Sequence, residues 1–126
     1  GLNPSTADES EDDPTIRRCK RFASDWGCGG LVMLNLFAVR ATDPKVMMKH
    51  SDPVGYTNDS VLRAYTLDAR IIVCAWGAHG GFQGRDKEVI DLLSDRDLKC
   101  LGATKDGKPR HPLYIRADKE LEVFGE

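Results

Sequence analysis

The sequence predicts an α/β fold, and three observations predict it. Two nearly continuous apolar runs, 30–39 and 70–77, lack a helical stripe and are flanked by glycines, as strands buried on both faces are. Segments with helical apolar spacing precede and separate them. The resulting order, helix–strand–helix–strand–helix–strand, leaves crossovers long enough to join parallel strands. Right-handed crossovers then make this a Rossmann-like three-layer α/β/α sandwich with a mainly parallel sheet.

Each element has a local reason. In DDPTIRRCKRFASDWGCG, Ile16, Cys19, Phe22, Ala23 and Trp26 recur at helical spacing. Asp13 is placed to cap that helix, Pro14 suits its first turn, and Gly27 or Gly29 ends it. GLVMLNLFAV (30–39) reads as the first buried strand. RATDPKVMMKHSDPVGYTND (40–59) is loop-like, with two Asp-Pro pairs and one short turn at Val46–Lys49. Thr57 or Asn58 caps a second helix carrying Val61, Leu62 and Tyr65. RIIVCAWG (70–77) is the next strand. GAHGGFQG is a loop leading to a third helix, Asp86–Ser94, with Val89, Ile90, Leu92 and Leu93 inward. DLKCLGAT (97–104) is a shorter strand, and the polar turn KDGKPRHP follows. In the last twelve residues, Leu121, Val123 and Phe124 are candidates for a final packed segment.

The opening GLNPST has the chemistry of a loop at a strand's carboxyl end. The first helix needs a strand before it, so the expectation is a single α/β domain over 1–126 truncated at its N-terminus. The strand starting at Leu31 is then expected to expose apolar surface, or to be covered by a second copy in a homodimer or by residues outside this sequence.

Composition narrows the class. With 40% hydrophobic and 30% charged residues and a net charge of −2, the chain is that of an ordinary water-soluble domain, without the basic excess of a duplex-DNA binder. No apolar run approaches the roughly 18 residues of a membrane span, so no membrane partner is expected. Cys19, Cys28, Cys74 and Cys100 form no C-x-x-C pair, and His50, His79 and His111 complete no finger-like spacing. Reduced thiols, a cytoplasmic location and no zinc or iron–sulfur centre are the corresponding expectations.

Ligands of open parallel sheets bind beyond the carboxyl ends of the strands. Loops at that edge supply Asn3, Pro4, Ser5, Thr6 and Asp13, then Asn35, Arg40, Thr42 and Asp43, then Trp76 and His79, and finally His111. Simpler readings stand beside these. Asn3-Pro4 makes a tight turn, Asp13 caps a helix, Arg40 and Asp43 pair with each other, and Trp76 belongs to core or rim. GAHGG lacks both G-x-G-x-x-G and a phosphate loop's G-K-[ST]. His111 stands out, held between Arg110 and Pro112 in a stiff polar turn.

GLNPSTAD (1–8), DDPTIRRC (12–19), NLFAVRATDP (35–44), DPVGYTND (52–59), AWGAHG (75–80) and HPLY (111–114) together resemble, in this order, a bacterial and phage family of unassigned activity, domain-of-unknown-function family 1643. A more distant resemblance is to the uracil-DNA glycosylases, which have a similar small α/β fold and two signature loops. Gly1-Leu2-Asn3-Pro4-Ser5 is similar to their G-[IM]-N-P-G loop, with Ser5 in place of the last Gly. His111-Pro112-Leu113 is similar to the loop that opens His-Pro, although HPLY departs from H-P-S-P. The resemblance implies that Asn3 positions a water and His111 stabilises charge on a departing base.

The corresponding function is binding of a nucleobase, nucleotide or single-stranded nucleic acid at the GLNPST/HPLY edge, with metal-free hydrolysis of an N-glycosidic bond as the chemistry and no cofactor. Trp76 or Phe37 is the candidate for stacking on an extruded base. Two alternatives remain: a nucleotide hydrolase or transferase using the Asp-rich loops with a divalent cation, and a non-catalytic interaction module.

Overall fold

The computed structural model describes residues 1–5 and 13–124. The first element is helix α1, Pro14–Asp25. Asp13 caps it as expected: its Oδ1 accepts from the Thr15 and Ile16 amides at 2.8 and 3.2 Å. Phe22 and Ala23 are buried, and Phe22 stacks on Trp26 with ring centroids 5.3 Å apart. α1 packs on the rest of the fold through the turn at Pro112–Tyr114.

The segment 30–39 is extended and irregular, a correction to the expected strand. Its backbone is held by groups other than a ladder. Leu36 and Phe37 amides donate to the Gly1 and Leu2 carbonyls, and the Ala38 amide donates to Pro53. The Asn58 side-chain amide donates to the carbonyls of Asn35 and Leu36, both at 3.0 Å. Arg85 Nε donates to the Leu36 carbonyl at 2.8 Å. Leu36 and Phe37 are thereby driven into the core, while Leu31 and Val32 are 39% and 57% exposed.

Helix α2, Pro44–Met48, is longer than the turn expected there, and Asp43 caps it through the Lys45 amide. Helix α3 spans Asn58–Thr66. Thr57 occupies its cap position without a side-chain bond, since Asn58 is turned to the 35–36 carbonyls. Leu62 is buried, whereas Val61 and Tyr65 face outward.

Strand β1, Ile72–Cys74, leads through a 3-10 turn, Ala78–Gly84, into helix α4, Arg85–Leu92. Strand β2, Leu98–Cys100, runs parallel to β1 with Ile72 opposite Leu98. Strand β3, Glu122–Val123, pairs antiparallel with β2. The α/β class therefore holds, but the sheet is mixed and its order is β1-β2-β3. The strands are also shorter than the apolar runs that announced them. Leu36, Phe37, Met47, Leu62, Trp76 and Leu93 belong to one buried cluster, with Phe37 and Met47 fully inaccessible. Truncating a residue such as Phe37 to Ala costs about 3–5 kcal/mol in such settings. The four cysteines are unpaired, and Cys74 and Cys100 are buried.

Candidate functional site

The site forms where three distant stretches of chain converge. GLNPS lies against 34–41: the Ala41 amide donates to the Pro4 carbonyl at 2.9 Å. The Asn3 amide nitrogen donates to the carbonyls of Pro4, Val39 and Ala41 at 3.2, 3.0 and 3.0 Å. Asn3 thus fastens its own loop to the loop carrying Arg40. Its Oδ1 accepts no bond from the described residues.

Ser5 Oγ donates to Asp13 Oδ2 at 2.9 Å, and Arg40 Nε donates to the Ser5 carbonyl at 3.3 Å. Burial acts to raise the Asp13 pKa and is the largest single influence on it. The bonds from Ser5, Ile16 and Thr15, together with the charge of His111, outweigh that influence and hold the carboxyl below its ordinary value.

His111 arrives from the other end of the chain. Residues 103–109 form a small hairpin, with the Thr104 amide donating to the Lys108 carbonyl at 2.8 Å and an Ala103–Pro109 bridge. The Gly77 amide, just beyond β1, donates to the Pro109 carbonyl at 2.9 Å and so docks this hairpin beside the sheet. Gly77 has φ 75°, and a Cβ there would stand 3.7 Å from the His111 Cβ. His111 caps the Pro112–Tyr114 turn, its Nδ1 accepting from the Leu113 amide at 3.2 Å. Burial lowers its pKa from the ordinary 6.5, the Gly1 amine adds to that, and Asp13 opposes it. Tyr114, 82% exposed, lies beside the imidazole with ring centroids 5.6 Å apart.

Asn3, Ser5, Asp13, Arg40 and His111 all line one cleft of about 2730 Å³, open to solvent. Pro4, Asn35, Thr42, Trp76 and His79 also border it. Asn35 Oδ1 crowds Gly1, where a Cβ would be only 2.9 Å away. Asp43 is set apart as the cap of α2, and Arg40 is bonded to Ser5. Thr6 lies outside the described residues.

Trp76 is 5% exposed and packs edge-on against Phe124 at 5.7 Å, which makes it core. Phe37 is fully buried against Phe82. Neither ring is open to a base in this conformation. Tyr114 was not among the residues singled out, although HPLY placed an aromatic next to the histidine turn.

The sequence reading also missed Arg85, which is 1% exposed. Its guanidinium bridges the Leu36 carbonyl and Asp59, the latter at 2.7 Å. Following a glycine loop and beginning a helix, it carried no sign of burial. The loop acids are similarly engaged: Asp52 Oδ1 accepts from the Gly55 amide, and Asp86 pairs with Lys108 at 2.6 Å. Among the described residues, no three His, Cys, Asp or Glu side chains gather in a metal-binding arrangement. Among them, too, no helix is long and apolar enough to cross a membrane.

Neither a curated protein nor a solved structure matches the chain. The family model described as "Protein of unknown function (DUF1643)" matches residues 1–113, and the chain belongs to that family.

Proposed function

We propose that the polar end of the cleft binds a nucleobase, within a nucleotide or in single-stranded nucleic acid, and that water cleaves the N-glycosidic bond there without a metal, leaving the free base and a sugar hydroxyl. One observation carries the reading: GLNPS and HPLY, the two loops similar to the glycosylase signatures, border the same cleft, with Asp13 bonded to Ser5 and within electrostatic reach of His111.

The chemistry follows from the groups present. Cleavage of an N-glycosidic bond leaves positive charge on the sugar and negative charge on the base, and fixed charges and donors lower that barrier. His111 Nδ1 accepts the Leu113 amide, so the neutral ring carries its proton on Nε2. A lowered pKa keeps the ring neutral near pH 7, as a donor toward a base oxygen. Asp13, held ionised, supplies negative charge for an oxocarbenium-like sugar. The Asn3 nitrogen is occupied, and its Oδ1 is the atom left to orient a water.

The metal-dependent alternative has less support, because Asp43, Asp52 and Asp59 are engaged in capping, turn and ion-pair contacts. The decisive experiment incubates the chain with uracil-containing single-stranded DNA, nucleosides and nucleotides in EDTA and follows base release. Release that His111→Asn abolishes is the expected result. Absence of both binding and release across these ligands, or release only on adding a divalent cation, overturns the proposal.

A further inference from the structure

A second recess, of about 650 Å³, lies beside the polar end of the cleft. Arg110 and Tyr114 border both spaces, so they form a partition between the two. His111, which stands between them in sequence, borders the cleft alone.

The partition rests on fixed backbone. The Arg110 amide donates to the Gly102 carbonyl at 2.9 Å, and the Tyr114 amide donates to the His111 carbonyl at 3.1 Å. The turn that carries Tyr114 packs on α1. Tyr114 is nevertheless 82% exposed, with its ring inclined 49° to the imidazole. An open aromatic face at the edge of a polar site is a stacking platform, and every base has a π-face to lay on it.

Arg110 is exposed as well, and among the described residues its guanidinium has no hydrogen-bond or ion-pair partner. The other cations of the recess are engaged: Asp118 holds Arg116 at 3.0 Å, and Glu122 holds Lys119. With Glu120, the recess sets three carboxylates against three cations. Its charges balance, so it suits an uncharged base and sugar better than a bare anion. A phosphate belongs instead at the partition, where Arg110 offers a planar set of free donors.

We infer that the ligand of the cleft is a single-stranded nucleic acid longer than a mononucleotide, an assignment that rests on the base-binding reading of the cleft. One nucleotide enters beside His111, the neighbouring base lies on Tyr114 with its sugar toward the recess, and Arg110 binds the phosphate between them. Tyr114 and Arg110 thus decide which substrates are taken. A duplex is disfavoured because its bases are stacked on one another and leave no face for Tyr114. The net charge of −2 also offers little to a second strand.

The test is a displacement titration in EDTA, with a labelled short single-stranded DNA carrying one uracil as the probe. Unlabelled strand is expected to displace it at a concentration about tenfold or more below that of deoxyuridine monophosphate. Tyr114→Ala should weaken strand binding about tenfold, while Tyr114→Phe, which keeps the ring, should bind like the parent. Arg110→Gln should reduce the slope of log affinity against log salt by about 0.7, the share of one phosphate on a single strand. A mononucleotide that competes as well as the strand, a Tyr114→Ala chain that binds like the parent, or a duplex that displaces equally well overturns the inference and leaves a base site in place. Binding of the strand that depends on Tyr114 without release of a base upholds the inference and removes only the cleavage chemistry. Failure of every ligand to bind overturns both.

Discussion

Ser5 Oγ donates to Asp13 Oδ2 at 2.9 Å while the other carboxylate oxygen caps α1, so one side chain joins the GLNPS loop to a helix N-terminus. Asp13 is therefore both a cap and a charge at the cleft.

Asp13→Ala is expected to cost about 1 kcal/mol, the usual value of a lost N-cap, and Asp13→Asn only a few tenths. Both remove the charge. If that charge supports bond cleavage, base release falls in both variants while denaturant melts separate them. The folded pKa of Asp13 lies below the unfolded one, so its contribution is present above the ordinary value of 3.8 and is lost as pH falls through the lowered one. The acid limb of a stability profile should accordingly be shallower in Asp13→Asn.

His111 has a structural duty that its ring nitrogen makes explicit. His111→Ala removes the Nδ1 acceptor for the Leu113 amide and should cost about 0.5–2 kcal/mol, whereas His111→Asn keeps an acceptor there and should melt near the parent. Loss of ligand binding or turnover in His111→Asn, at an unchanged melting temperature, would assign the ring to the ligand. Unchanged binding in that variant would assign it to the turn alone.

Helices and turns were legible because their signals are local. Asp13-Pro14 announces the cap and first turn of α1, and KDGKPRHP announces a polar turn, whereas helix α2 and its Asp43 cap lie in a stretch that read as loop with one short turn. The 30–39 segment was misread because its apolar run promised a ladder, while Gly1, Asn58 and Arg85 supply the bonds instead. No pattern within ten residues reveals such partners. Burial of Arg85 was invisible for the same reason, as its acceptor on Leu36 lies 49 residues away. Ser5, Asp13 and His111, named from loop order, line one cleft, and Trp76 as core was the simpler of its two readings.

Gly80 tests how closely the GAHGG loop is packed. A Cβ on Gly80 would lie 2.0 Å from Trp76 Cδ1 and 2.5 Å from its Nε1, so Gly80→Ala must displace the indole. Overpacking of this kind costs about 1–3 kcal/mol. Gly84→Ala meets no atom within 4 Å, but φ at Gly84 is +67°, so its cost is backbone strain without indole movement. Trp fluorescence should therefore shift in Gly80→Ala and stay at the parent wavelength in Gly84→Ala. Equal spectra would show that the indole is not held against this loop.

In a 126-residue chain prepared to begin at Gly1, burial lowers the α-amine from its ordinary 8.0 to about 6, with the Cys74 and Cys19 thiols opposing it weakly. The unfolded chain then binds more protons than the folded one between those two pH values, and stability must rise with pH across the interval. The penalty is fully present below about pH 6 and absent above pH 8, and two units correspond to roughly 2–3 kcal/mol. His111, also lowered, acts in the same direction but only below its ordinary 6.5. The rise between pH 7 and 8 therefore belongs to Gly1, and Nα-acetylation should flatten it while leaving the His111-dependent limb in place. Denaturant melts of the free and acetylated chains from pH 5 to 8.5 provide the measurement. A rise that survives acetylation would place the titrating group elsewhere, and a flat profile in the free chain would mean that the Gly1 nitrogen is solvated.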